Sequence, residues 1–319
     1  MRIVSLLPAA TDWLCAFGAG AEIVGRSHAC DAPAAAGARV LTAAPGMPPA
    51  ADGPPEAIDK AVRRALAAGL SPFRVDAAAL AALRPDLVVT QSLCGVCAPD
   101  RATLETALGA ALAGAGSAPA TLVDFAPSTL KQALDAALAL GRAAGRLPEA
   151  MRVVAEGEAR LRALAARLRL DRRAGTVAGR PFPTLVCVEW VAPPMTAGHW
   201  TPDLALLAGG RALLAAPGAR SAYVTWDEIA AADPDVLVVA ACGRPLEASA
   251  RDLAARAGAW SGLRAARAGR AFVADGDRLF NRPGPSLVEA AEVLAAALHP
   301  EAAPPPPAWA LRPLCVTPP

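Results

Sequence analysis

Thiols, imidazoles, indoles and a few charged side chains gather in short segments of this chain, each just past a run that reads as a β-strand. His28 and Cys30 share one loop with a single residue between them, followed by Asp31. In an extended chain their side chains point the same way, so they read either as a pair of soft ligands or as a hydrogen-bonded loop histidine beside a buried thiol. Cys94-Gly-Val-Cys97 has C-x-x-C spacing, which suits a metal, a redox dithiol or a disulfide. Glu189-Trp190 ends one apolar run and Gly198-His199-Trp200 closes the loop after it, which concentrates a carboxylate, an imidazole and two indoles in a chain with 4% aromatics. The indoles read equally as caps on a core, with Trp200 a hydrophobic staple before Thr201 as helix N-cap. Gly198 suggests backbone that approaches something closely. Cys242 follows another apolar run, and Asn281 and Arg282 stand between Phe280 and Pro283. They offer an amide and a guanidinium to a polar ligand edge, although Arg282 can equally pair with a surface carboxylate.

The elements that must position these residues include one unit written twice. Asp76 to Cys97 and Thr225 to Gly243 each run from a helical pattern through a Pro-Asp pair (Pro85-Asp86, Pro234-Asp235) into a β-branched apolar run and a small-residue loop holding cysteine. A strand so short and uniformly apolar reads as a central parallel strand buried on both faces. In open α/β sheets ligands bind outside the carboxyl ends of the strands, which is where these loops lie. The repeat predicts two α/β lobes with mainly parallel central sheets flanked by helices, their crevices facing one another.

The amino half alternates strands (Arg2–Leu6, Ile23–Gly25, Leu87–Thr90, Thr121–Asp124) with helices (Ala9–Phe17, Glu56–Ala68, Asp76–Leu83, Arg101–Leu112, and Ser128–Ala144 capped by Ser128). Such alternation implies a parallel sheet with helices on both faces. Leu147–Leu170 is the longest helical pattern, about 34 Å at the usual rise, and is expected to join the lobes. Thr184–Glu189, Val236–Ala240 and Arg270–Val273 repeat the theme, with helices Pro202–Ala208, Trp226–Ala231, Leu246–Ala257 and Ser286–Leu298. The expected boundaries are residues 1–146, a joining helix at 147–171, a second lobe at 172–300 and a Pro-rich, polyproline-like surface tail at 301–319.

Composition narrows the function classes. With 319 residues, 54% of them hydrophobic, the chain can bury two cores. A formal net charge of +2 with scattered arginines gives no nucleic-acid footprint. No long uninterrupted apolar run predicts a membrane span. The opening MRIVSLLPAATDW carries no signal-peptide pattern, so the expected location is cytoplasmic as written, or periplasmic if a leader has been removed. The odd count of seven cysteines argues against a disulfide framework. Cys15 and Cys187 read as small core residues, and Cys315 in the tail as incidental. No nucleophile elbow, dinucleotide fingerprint or phosphate loop occurs. Among the three histidines, His299 falls at a helix end, where a dipole interaction is expected. Acid–base chemistry between His28 or His199 and Glu189 is not demanded by their spacing.

The segments RIVSLLPAATDWLCAFGAGAEIVGRSHACD, FRVDAAALAALRPDLVVTQSLCGVC, EWVAPPMTAGHW and FNRPGPSLVEAAEVL together resemble the cobalamin-binding type of substrate-binding protein from ABC importers, of the helical-backbone class. The resemblance covers about residues 1–300 and implies a non-catalytic, monomeric protein that holds cobalamin or a related corrinoid or metal chelate and serves an importer permease. On that reading Trp190, Trp200 and Phe280 cover the faces of a large planar ligand, Gln91, Asn281 and Arg282 bind its rim, and His28 or His199 is an axial partner for cobalt. Two alternatives stand beside it. Cys30, Cys94, Cys97 and Cys242 with the histidines can enclose zinc or another soft metal, or Cys94 and Cys97 can act as a redox pair. An enzyme acting on a small molecule is the third reading.

Overall fold

The computed structural model describes residues 1–45, 47–48, 53–68, 73–92 and 120–314. The expected helix Arg101–Leu112, and Cys94, Cys97 and Cys315, lie outside the described residues. The fold is α/β, with central parallel strands flanked by helices.

The chain divides into two compact units, and neither is continuous in sequence. The first comprises Met1–Met47, Lys60–Pro127 and Lys131–Glu156; the second comprises Pro48–Asp59, Ser128–Leu130 and Gly157–Pro319. The helices Pro55–Ala67, Leu130–Ala143 and Leu147–Leu168 therefore each contribute residues to both units.

In the first unit a five-stranded parallel sheet runs in the order Arg39–Val40, Ile23–Arg26, Ile3–Ser5, Leu87–Thr90, Thr121–Asp124. Successive side chains of a strand point to opposite faces, which explains why the central strands are apolar throughout. Ile3, Leu87 and Val89 pack against Trp13, Leu14, Phe17 and Leu140, whereas Val4 and Val88 face Leu6, Leu41 and Leu80. Helix Pro8–Ala16 starts with proline in its first turn, where the missing N–H would have no helical partner anyway.

The second unit centres on Thr184–Val191, which pairs in parallel with Val236–Val239; that strand in turn pairs with Ala271–Ala274. Antiparallel strands complete both sides, and two of them depart from the sequence expectations. The segment expected to be a loop after Glu189 folds back as the strand Pro194–Thr196, in register with Val188 to Val191. The expected surface tail includes the strand Leu311–Pro313, which pairs with Phe272–Ala274 and closes that edge. Proline composition favoured an extended, unpaired chain, but Leu311 and Arg312 face an edge with free hydrogen-bonding groups, and an edge strand tolerates Pro313. An antiparallel meander of Leu170–Asp171, Thr176–Val177 and Arg180–Pro181 also precedes Thr184, where no strand was expected. The helix expected at Leu246–Ala257 breaks into Leu246–Ala254 and Ala257–Trp260.

The repeated Pro-Asp pairs have a structural role at the amino ends of the strands. Asp86 Oδ2 accepts the Arg2 N–H at 2.6 Å, and Asp235 Oδ2 accepts the Thr184 N–H at 2.7 Å. Each aspartate thus pins the start of the neighbouring parallel strand. The residue before each proline, Arg84 or Asp233, has φ of 43°, the left-handed turn that ends the preceding helix. Two other helix ends differ from expectation. Trp200 takes the N-cap position in place of Thr201, which lies inside the first turn. The helix expected from Ser128 begins at Leu130, whose N–H is satisfied by Asp203 Oδ2 at 3.0 Å.

Candidate functional site

At the carboxyl end of the first sheet, Ile23–Arg26 runs into the turn Ser27-His28-Ala29-Cys30. The turn separates the two side chains that an extended backbone would have aligned. Cys30 is 3% exposed, shares a hydrogen bond with Thr11 Oγ1 at 3.0 Å and donates to the Ser5 carbonyl at 3.8 Å. Burial raises its pKa, against the Thr11 hydrogen bond, so it remains a thiol in the helix–strand packing. His28 is exposed. Its Nδ1 lies 2.7 Å from Thr42 Oγ1, and that oxygen also accepts the His28 backbone N–H at 3.0 Å. The Thr42 hydroxyl donates to Ser27 Oγ at 3.1 Å. Phe73 flanks the imidazole with ring centroids 5.5 Å apart. Partial burial lowers the His28 pKa, which favours the neutral ring at neutral pH. Gln91, past the end of Leu87–Thr90, is buried, and Asp31 lies exposed beside the turn.

At the carboxyl end of the second sheet the aromatic residues are enclosed. Trp190 and Trp200 are 9% and 6% exposed, and their indole N–H groups donate to the Ala192 and Phe280 carbonyls at 3.1 and 2.7 Å. Phe280 is 1% exposed. These rings pack the unit and present no open face. Asn281 Nδ2 donates to the Ala240 and Gly276 carbonyls at 3.0 and 2.7 Å, and buried Arg282 pairs with Asp277 at 2.8 Å. The amide therefore braces the π-helical turn Gly276–Phe280 against the end of Val236–Val239, while the guanidinium pairs with a carboxylate of the turn itself. Gly276 is required there, since a Cβ would sit 2.3 Å from the Ala241 carbonyl oxygen.

His199 stands apart from this packing. It adopts φ of 50°, a left-handed conformation that is strained for a side-chain-bearing residue. The adjoining Gly198 fits because a Cβ would meet the Ala219 carbonyl at 2.4 Å, so the close approach read from the sequence is to the chain itself. His199 Nδ1 is buried without a hydrogen-bond partner, and burial together with Arg220 lowers the pKa of the ring. Cys242 is half-buried, and its N–H donates to the Glu189 carbonyl at 2.8 Å. Glu189 itself is partly exposed. Cys187 lies in the core, where burial pushes its pKa up. His299 is also buried, with Nε2 3.0 Å from the Gly209 carbonyl.

Sequence reading missed Arg244, because scattered arginines carry no local signal. Arg244 is 2% exposed, pairs with Asp252 at 2.7 Å, donates to the Gly53 carbonyl at 3.0 Å and lies 6.0 Å above the Trp190 ring. It holds Gly53, just before helix Pro55–Ala67, and the Arg256–Glu56 ion pair and a 2.6 Å hydrogen bond from Tyr223 to Asp59 hold the first turns of that helix. Thr42 was missed for a similar reason: only the tertiary structure brings it to His28. Among the described residues no three of His, Cys, Asp and Glu converge as a metal site.

The profile of the periplasmic binding protein family matches residues 3–277. The chain belongs to that family. This periplasmic binding protein matches a periplasmic heme-binding protein from Pseudomonas aeruginosa with a TM-score of 0.68 at 20% identity, covering 100% of this chain and 99% of the other. The vitamin B12-binding protein BtuF of Vibrio cholerae matches with a TM-score of 0.62 at 20% identity, covering 93% and 96%. A Staphylococcus epidermidis protein described as a possible iron-binding, periplasmic solute-binding protein gives 0.63 at 18% identity, covering 93% and 98%. At these identities the likeness is one of fold. A search of curated protein sequences found no match. The periplasmic binding protein is a ligand-binding protein, and no described helix is long and apolar enough to cross a membrane.

Proposed function

We propose that this chain is the cargo-binding protein of an ABC importer and that its cargo is a metal-centred tetrapyrrole, cobalamin or a related corrinoid. The observation that carries the reading is an exposed imidazole, His28, in the turn at the carboxyl end of Ile23–Arg26, its pKa lowered by partial burial. Neutral imidazoles are good donors to cobalt and iron, and the fold is shared with proteins named for vitamin B12, heme and iron. The corrinoid is favoured over heme by the motif resemblance, which runs from the opening strand to helix Leu287–Leu298.

The same reading assigns the protein to the outer side of the membrane that carries its importer, with the permease as partner and a single copy as the binding form. It also revises the ligand surface. With Trp190, Trp200 and Phe280 enclosed, contact with the metal of the macrocycle falls to the exposed His28 at the strand end of the first unit. Zinc has no comparable support, since no cluster of ligands converges among the described residues.

Calorimetric titration with hydroxocobalamin, cyanocobalamin and hemin tests the proposal. Binding of at least one cobalamin at micromolar affinity or tighter is expected; hemin alone would move the cargo to heme, and no binding by any of the three would overturn the reading.

A further inference from the structure

The hydrogen bonds around His28 define which ring nitrogen faces solvent as a free donor. Thr42 Oγ1 has one hydrogen and two lone pairs. Its hydrogen goes to Ser27 Oγ at 3.1 Å, and one lone pair takes the His28 backbone N–H at 3.0 Å. The remaining lone pair faces His28 Nδ1 at 2.7 Å, so Nδ1 must carry the proton. Ser27 Oγ is fixed in turn by the Ala29 N–H at 3.2 Å, and both hydroxyl side chains are buried. The imidazole is therefore anchored at Nδ1 by a relay that cannot easily turn, and Nε2 is left unprotonated on an exposed residue. An outer hydrogen bond that fixes tautomer and ring orientation is the arrangement that makes histidine an effective metal donor.

We infer that His28 Nε2 coordinates the metal of the cargo directly, and that Thr42 and Ser27 position it, so that the protein selects tetrapyrroles with an exchangeable axial site. The inference rests on the proposed cargo class and adds the atom that recognises it. The step is a ligand exchange without redox change: the cobalt–oxygen bond to a coordinated water breaks, water departs, and a bond forms from the Nε2 lone pair to cobalt, whose charge and oxidation state are unaltered. His199 is the weaker candidate. Its Nδ1 is enclosed and unpartnered, and the Arg220 guanidinium acts on the same ring, which disfavours an approaching cation.

Two cobalamins that differ at one axial position provide the test. Aquocobalamin exchanges its water readily, whereas cyanocobalamin keeps its cyanide. The wild-type protein should shift the visible bands of aquocobalamin to those of an imidazole complex and leave those of cyanocobalamin unchanged. His28→Ala should abolish the shift and weaken aquocobalamin binding far more than cyanocobalamin binding; because His28 is exposed, this variant is expected to fold. Thr42→Val should keep the imidazole but lose the relay, with affinity for aquocobalamin falling about 10–100-fold, the range for lost outer-shell hydrogen bonds. Nitrogen-15 NMR of the ligand-free protein should show Nε2 unprotonated. If both cobalamins bind but His28→Ala retains the band shift and affinity, or if the proton resides on Nε2, the inference is overturned while the cargo proposal stands. If neither cobalamin binds, both fall.

Discussion

The Asp235 carboxylate accepts the Thr184 N–H at 2.7 Å and the Thr184 hydroxyl at 2.8 Å, while that hydroxyl oxygen accepts the Asp235 N–H at 2.9 Å. Two adjacent parallel strands are thereby locked in register at their amino ends. Arg264 reinforces the clamp through Asp235 Oδ1 at 2.8 Å and through both oxygens of Asp233.

Replacing Asp235 by Ala should cost about 1–3 kcal/mol, because it leaves the Thr184 donors without their acceptor. Burial of Asp235 opposes its ionisation, but the Thr184 N–H and hydroxyl and the Arg264 guanidinium outweigh it and lower its pKa. The stabilisation it gives is therefore present above the ordinary carboxylate value near about pH 4 and is lost as pH falls through the lower folded-state value. Urea unfolding at pH 7 and at about pH 3 should show a smaller difference between Asp235→Ala and wild type at the acid end. An equal difference at both would remove the charged clamp from the explanation.

Arg244 should be a stability residue of the second unit. Arg244→Ala strands the Asp252 carboxylate, whose pKa burial already raises against the pull of Arg244 and Arg256. Loss of one partner from such a buried pair costs about 3–5 kcal/mol, and a double replacement by Met at 244 and Leu at 252 should recover most of it. A raised folded-state pKa penalises the charged form above the ordinary carboxylate range, and protonation relieves it, so acidification from about pH 7 to 5 should narrow the deficit of Arg244→Ala. Hydrogen exchange should rise across residues 53–59, which Arg244 holds through Gly53. Unchanged exchange there would detach that segment from Arg244.

Removing the chain from residue 311 onward should expose the outer edge of Ala271–Ala274, which Leu311–Pro313 covers. An unpaired edge promotes association with other chains. Light scattering on heating should show earlier aggregation than in the full chain, and identical behaviour would demote the terminal strand to a passive cover.

Thiol labelling should rank the described cysteines by exposure and acidity. Cys242 is half-buried at a strand end, Cys30 and Cys187 are buried, and burial first, with Asp12 and Cys30 adding to it, pushes Cys15 to about 11. Because the thiolate is the reactive form, peptide mass spectrometry at pH 8 should find Cys242 modified first of these four. Faster labelling at Cys30 would contradict the sealed contact with Thr11.

Leu87–Thr90 was legible in sequence to the residue because the strand is buried along its whole length, and Thr121–Asp124 was legible too, although it is an edge strand exposed at both ends. The location of the loop that follows Val236–Val239 was legible too, through the repeated Pro-Asp unit. What could not be read was the direction of side chains within the strand-end loops. His28 and Cys30 diverge because a tight turn replaces extended chain, and the contacts that decide it, Thr42 and Thr11, lie fourteen and nineteen residues away from their partners. Trp190, Trp200 and Phe280 have residue types that serve a core and a ligand equally well, so only burial separates the two roles. The terminal strand was hidden by its prolines, whose local preference yields to an available sheet edge.

The placement of residues 53–59 and 128–130 with the second unit has a consequence for anyone dividing the gene. A fragment beginning near Leu147 would lack Gly53, Glu56 and Asp59, which Arg244, Arg256 and Tyr223 hold, and Leu130, which Asp203 holds. Expressed alone it would be an incomplete fold, restored only by supplying the missing amino-terminal piece in trans. Recombination or domain swapping at the midpoint is thus closed to this protein, and its two halves must be inherited and exchanged as one.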